Sequence, residues 1–395
     1  MSQITNHKSQ ITSHKSQITN HKSQITNHKT MTIKQVTTFL EQKFPLYLQE
    51  DFDNCGVQCG DVRQEITGAM VCFEMSEQVI DEAIEKGCNL VISHHPLMLK
   101  HGICKIVPTD RVGAMICKAL AHNMVLYSMH TNIDSGEGGG NDAFAEKLGL
   151  QDVKVLAPHK GLYRKLVVFV PADHAEQLKN ALFEIGCGVQ GNYDHCGYSL
   201  KGKGQFRPLE GANPYLGQEN KEEHVEEERI EVLYPTGLQR TVIQTLYDNH
   251  PYEEPAFDLL PLENESRTIG LGRIGELPQE MKVPEFLTYM KEHLGFAHCR
   301  YCGDASKTIR KVAVCGGGGS SFIDLAIASG ADAYVSGDFK YHDFFKSHSG
   351  TLLVDIGHYE GEFFIKNIIF NLLNEKFTTF APLISNLEVL EVKYF

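Results

Sequence analysis

The chain has 395 residues, of which 42% are apolar and 22% charged, with a formal charge of −13 at pH 7. That length suits two or three domains with cores of their own, and the apolar fraction excludes a wholly disordered chain. The acidity argues against nucleic acid as the default partner, because neutralising many phosphates needs a basic surplus and the sequence has no basic stripe. No run approaches the roughly 18–20 apolar residues of a membrane-spanning helix, so a soluble, cytoplasmic protein is expected.

Residues 2–29 are four near-identical heptads, SQITNHK or SQITSHK. Each heptad offers one apolar residue (Ile4, Ile11, Ile18, Ile25), whereas a coiled-coil seam needs two. Residues 1–30 therefore read as a disordered low-complexity tail, with Met31 marking the start of the folded protein. The tail carries Lys8, Lys15, Lys22 and Lys29 but no acid, so the remainder is more acidic than the total implies.

From Met31 onward apolar strands alternate with amphipathic helices. Ile66–Phe73 is predicted as a strand, and Ser76–Lys86 as a helix capped by Ser76 and stopped by Gly87. Strand Asn89–Ser93 runs into His94, His95 and Pro96. Helix Thr109–His122 precedes strand Met124–Met129, which runs into His130-Thr131-Asn132-Ile133-Asp134. Between residues 160 and 265 the order becomes strand, helix, strand, strand, helix, strand, the order of a ferredoxin-like plait. Within it the charge run Lys221–Glu228 reads as a solvated loop or strand flank. Strand Lys311–Val314, the glycine run Gly316–Gly319, strands Ala333–Val335 and Thr351–Asp355, and a long helix beginning near His358 then resume the first rhythm.

The predicted fold class is thus α/β: one α/β domain with a mixed sheet, interrupted by an inserted βαββαβ plait. The expected boundaries are 31–158 for its first half, 159–265 for the insertion and 266–395 for its second half. The eleven cysteines are odd in number and several lie in apolar elements, so they read as reduced thiols. Cys299 and Cys302 form a lone CxxC without a second pair, a weak basis for zinc or redox chemistry.

The strongest chemical signal is a set of imidazoles and carboxylates at strand ends, where open α/β sheets carry their sites. His94 and His95 leave one strand together, and Pro96 favours the bend that lets both face one point. His130 and Asp134 follow a second strand, although Asp134 also suits a cap or tight turn. His358 and Glu362 follow a third, with the i, i+4 spacing of helix-borne metal ligands. Three imidazoles and two carboxylates exceed what one catalytic zinc uses, and they suit two divalent ions roughly 3.5–4 Å apart, bridged by Glu362. Mixed ligands admit Zn, Mn, Fe, Co or Mg. The run Val312–Ser321 (VAVCGGGGSS) reads as either an anion cradle or a close strand–helix packing. Asp338 and His342 follow another strand and suit supporting or proton-transfer roles, with simple capping the alternative for Asp338.

These motifs as a set resemble the type 2 GTP cyclohydrolase I homologue family, also called Nif-three-like dinuclear metal-centre proteins. The matching segments are DNCGVQCG at Asp53–Gly60, ISHHPL at Ile92–Leu97, YSMHTNID at Tyr127–Asp134 and GGGNDAFAEKLGL at Gly138–Leu150. CGGGGSS, SGDFKYHD and DIGHYEGE match in the last third, and HPYEEPAFDLLPL lies in a segment that looks like the PII-like insertion of longer members. The resemblance implies a toroidal homohexamer around dinuclear sites, with His94, His95, Asp134, His358 and Glu362 as metal ligands. The site as read from these residues is expected to serve a metal-dependent hydrolase acting on a nucleotide or N-heterocycle, with His130 or His342 moving protons. The alternative is a non-catalytic metal-binding scaffold whose plait is an interaction module.

Overall fold

The computed structural model describes residues 31–387 except 101, 103 and 104, together with residue 392; the heptads lie outside the described residues. Fifteen strands occur among them. They are β1 Gly56–Cys59, β2 Ala69–Cys72, β3 Leu90–Ser93, β4 Val125–Ser128, β5 Gln151–Pro158, β6 Tyr163–Pro171, β7 Gly197–Phe206 and β8 Glu223–Pro235. After these come β9 Phe257–Pro261, β10 Gly270–Lys282, β11 Arg300–Cys302, β12 Thr308–Gly318, β13 Ala333–Gly337, β14 Leu352–Asp355 and β15 Leu383–Ile384.

They form three sheets, ordered β1-β4-β3-β2-β15, β11-β14-β13-β12-β10-β5 and β7-β8-β6-β9. The first two are mixed. In the first, β2, β3, β4 and β15 run parallel and β1 antiparallel. In the second, β12, β13 and β14 run parallel, β11 and β10 run antiparallel to them on either side, and β5 pairs antiparallel with β10 at the edge. The chain's two ends are interlocked, because β15 pairs with β2 and β5 pairs with β10.

Side-chain alternation explains how the layers stack. Leu90, Ile92, Val125 and Tyr127 face one way and share a single core with Val312, Val314, Val335 and Val354 of the second sheet. Phe144, Ile365, Ile369 and Leu373, from helices Gly140–Lys147 and Ile365–Lys376, fill the same space. The intervening residues Met70, Cys72, Val91 and Leu126 face helices Glu77–Glu85 and Arg111–Ala121. Ser76 accepts from the Val79 amide at the start of the first of these helices, and Gly87 just past its end has φ +70°.

The third sheet is antiparallel throughout and carries helices Ala175–Glu184 and Gln239–Asn249 on one face. Leu166, Val168, Val170, Ile230, Val232 and Tyr234 meet Leu178, Leu182, Val242 and Leu246 in a core separate from the first. The charge run is not a loop: β8 begins at Glu223, and Glu226, Glu227 and Glu228 pair with Lys203, Gly202 and Lys201 of β7. Lysines opposite glutamates make that ladder favourable despite the charge density.

The long helix expected from His358 starts later, at Ile365; a short 3-10 turn over Tyr359–Gly361 comes first. No described helix is long and apolar enough to cross a membrane.

Candidate metal centre

The C-terminal ends of the parallel strands in both large sheets converge on one place. His94 and His95 follow β3 directly, and His130 follows β4. The glycine run closes β12, Asp338 follows β13, and His358 stands three residues past β14. His94 is fully buried, and Asp134 and Glu362 are 7% and 4% exposed.

Glu362 Oε2 is the centre of this group. The Nε2 atoms of His358, His94 and His95 lie 3.1, 3.4 and 3.5 Å from it. Asp134 Oδ2 lies 3.9 Å from His94 Nε2. The ring Nδ1 atoms point outward to acceptors: Met129 O for His94 at 2.8 Å, Glu74 for His95 at 2.6 Å and Asp338 for His358 at 2.7 Å. Asp53 lies 2.9 Å from His130 Nδ1. An imidazole tied at Nδ1 presents Nε2 to whatever occupies the centre, which is how metal-ligating histidines are oriented.

The electrostatics follow from burial and neighbours. Burial pushes His94 down to about 4, against the opposing pull of the Glu362 charge. Burial also opposes charge on His95 and His358, but Glu362 with Glu74, and Glu362 with Asp338, override it and raise them to about 10 and 9. Burial opposes the charge on Glu362, yet His94, His358 and His95 hold its carboxyl well below the usual range. Asp134 is pushed up by burial and by the Glu362 charge.

These residues fit a divalent-metal site on their own geometry. His94 Nε2 and Glu362 Oε2 are buried without any hydrogen-bond partner, a costly state unless something else satisfies them. Three overlapping groups have ligand atoms all within 4.8 Å of one another: His94, His95 and His130; His95, His358 and Glu362; His94, Asp134 and Glu362.

The glycine run has a different role from an anion cradle. A Cβ on Gly317, whose φ is +61°, would stand 2.2 Å from Glu362 Oε1, and one on Gly316 would stand 3.0 Å from Glu362 Cγ. The strand end is stripped of side chains so that the buried carboxylate can lie against it. The helix that follows, Ile323–Ala328, is too short to act as an anion site. His342 is exposed on a 3-10 segment, stacked on Phe345 with ring centroids 5.7 Å apart, and belongs to none of the three groups. Cys299 and Cys302 likewise belong to none of them, and both are free thiols.

Sequence reasoning missed Glu74 and left Asp53 inside a motif without a role. Both are carboxylates near strand ends whose partners are far along the chain, so only the fold reveals them. A cavity of about 1270 Å³ opens beside the centre, with His358, Asp338, Glu74, Arg111, Arg300 and Phe296 in its wall.

A profile of the Duf34/NIF3 (NGG1p interacting factor 3) family matches residues 31–391. The protein named GTP cyclohydrolase 1 type 2 homolog from Bacillus subtilis (strain 168) is 40% identical over 332 residues, 82% of this chain and 88% of its own. Its namesake from Halalkalibacterium halodurans is 41% identical over 329 residues, 82% and 87% of the two chains. Among solved structures, the Bacillus cereus protein related to NIF3 superposes with a TM-score of 0.76 at 36% identity, covering 92% of this chain and 99% of that one. Staphylococcus aureus protein SA1388 gives a TM-score of 0.73 at 29% identity, covering 93% and 99%. The profile and these relatives span nearly all of the chain past the heptads, and the protein belongs to the Duf34/NIF3 family.

Proposed function

We propose that this chain is a metal-dependent hydrolase acting on a nucleotide or a related N-heterocycle, with two divalent ions held by His94, His95, Asp134, His358 and Glu362. The observation that carries the reading is Glu362 Oε2, buried without a hydrogen-bond partner and ringed by three imidazole Nε2 atoms at 3.1–3.5 Å. Bound divalent ions supply Lewis acidity, polarising a substrate oxygen and making a water acidic enough to attack at neutral pH. The protein's own part is to hold the ligand atoms fixed through Met129 O, Glu74 and Asp338. Arg111 and Arg300 in the adjoining cavity suit an anionic group on the substrate, and Phe73, Phe296 and Tyr359 suit a flat ring. His130 faces the centre and is the better placed of the two proposed proton carriers, since His342 is exposed outside the cluster.

The assembly proposed is the toroidal homohexamer that the resemblance implies, in the cytoplasm, with the plait as a PII-like insertion. A second reading, a scaffold whose plait binds an effector, is favoured by a cavity of about 580 Å³ in the plait, lined by Phe169, Phe206, Tyr215 and Tyr252. The test is turnover. Metal-reconstituted protein is incubated with GTP and a panel of nucleotides and phosphoesters, while the base chromophore and released formate and phosphate are followed. Turnover that His95→Ala abolishes supports the hydrolase. Equal inertness of wild type and variant across the panel leaves only the scaffold.

A further inference from the structure

The plait's sheet is covered by helices on one face only, and its other face holds a cavity of about 580 Å³. Strand alternation decides which residues line it. In β8, Ile230 and Val232 face the helices and Glu228 reaches Lys179 there, so Glu227 and Arg229 face the cavity. Opposite them in β7 stand Gly202 and Leu200. Glu227 Oε1 accepts from the Tyr252 hydroxyl at 3.0 Å, and a Cβ on Gly204 would collide with Oε2, so the carboxylate lies along a bare stretch of strand. Among the described residues no Lys, Arg or His comes within 4.0 Å of Glu227. The basic side chains nearby are committed elsewhere, Lys203 to Glu226 at 3.4 Å and Arg229 to Glu231 at 2.8 Å. Phe206, Tyr252 and Tyr215 form a continuous aromatic wall, with successive ring centroids 5.7 and 6.4 Å apart. The Asn213 amide donates to Glu253 at 2.9 Å and ties together the loops that carry Tyr215 and Tyr252. Gly202 leaves the floor open, with nothing within 4 Å of where its Cβ would stand.

We infer that this cavity is a binding site for a small organic ammonium ion, held on the aromatic wall with Glu227 as its counter-charge. The inference rests on the second reading above, in which the plait takes an effector, and it names the class of that effector. An unpaired carboxylate beside electron-rich ring faces attracts a weakly hydrated cation, and an alkylammonium is such an ion. The cavity has the size of a small-molecule site. The charge of the plait acts in the same direction. Residues 159–265 hold ten Lys and Arg against eighteen Asp and Glu, a field that draws cations and repels phosphates. The plain alternative is a sheet face sheltered by loops. Such a face would be filled at its middle, whereas the two positions of β7 that face the cavity between Leu200 and Phe206 are both glycine.

The test is isothermal titration calorimetry of the metal-reconstituted full chain with choline and with its uncharged isostere, in which carbon replaces the nitrogen. Both probes carry the same hydroxyl, so ligation of that group to a metal cannot separate them. Choline is expected to bind about 10-fold more tightly than the isostere. Glu227→Gln is expected to weaken choline by about 10-fold, and Gly202→Leu, which fills the floor, to abolish its binding. Equal binding of the two probes, or wild-type affinity in both variants, overturns the proposal. Should a variant not fold, the wild-type comparison decides alone. ATP is titrated in parallel. Heat from ATP that Gly202→Leu abolishes, with none from choline, overturns the ammonium site and keeps an effector in the plait. Silence from every probe sinks the effector reading with it.

Discussion

Gly317→Ala probes the centre through the backbone, without replacing a proposed ligand. Two costs arise at this position. An alanine at φ +61° costs on the order of 1–2 kcal/mol for left-handed geometry. Its Cβ would also stand 2.2 Å from Glu362 Oε1, 2.8 Å from its Cδ and 3.1 Å from its Oε2, so the buried carboxylate must move. Overpacking of that kind adds about 1–3 kcal/mol, which gives a total of about 2–5 kcal/mol. Gly87→Ala separates the two costs, because Gly87 has φ +70° and nothing within 4 Å of its would-be Cβ. The assay pairs urea unfolding of the metal-free proteins with elemental analysis after reconstitution. Gly87→Ala is expected to lose about 1–2 kcal/mol and keep full metal content. Gly317→Ala is expected to lose more stability and to bind metal substoichiometrically. If both variants lose the same small amount and both bind metal fully, the glycine run does not exist to seat Glu362.

Three further outcomes follow from the packing. Arg273 is 2% exposed and donates to Asp142, Gly270 O and Gly272 O, so Arg273→Ala should cost about 3–5 kcal/mol in urea unfolding by stranding those acceptors. Leu246 is fully buried in the plait's own core, and Leu246→Ala should destabilise the plait by about 2–5 kcal/mol while reconstituted metal content is unchanged. Burial lowers His250 below its usual 6.5, and its Nε2 donates to Phe169 O at 2.9 Å. The folded state therefore binds that proton less readily than the unfolded chain. The His250 contribution is fully present above pH 6.5 and is lost as pH falls toward the depressed folded value. A pH series of plait unfolding should show this loss in wild type and a flatter profile in His250→Asn.

Much of the site was legible because its residues stand next to strong strands. Leu90-Val91-Ile92 announces a buried strand, and His94-His95-Pro96 can only be its exit. The same holds for His130 after Val125–Ser128 and for His358 after Leu352–Asp355. The charge run Lys221–Glu228 was open between a loop and a strand flank, because its partner lysines lie on β7, some 25 residues earlier, and a cross-strand charge ladder has no local signature. The glycine run was ambiguous for a related reason: what excludes a Cβ there is Glu362, some 45 residues further along the chain. β10 and β5, which interlock the chain's two halves, have weak alternation and several glycines or prolines. Tertiary pairing rather than propensity makes them strands.

The central claim is that His94, His95, Asp134, His358 and Glu362 jointly hold two divalent ions. Anomalous diffraction from crystals of the Mn²⁺-reconstituted protein tests it most directly. The account predicts two peaks roughly 3.5–4 Å apart, both in contact with Glu362. A single peak, or peaks away from Glu362, would contradict it.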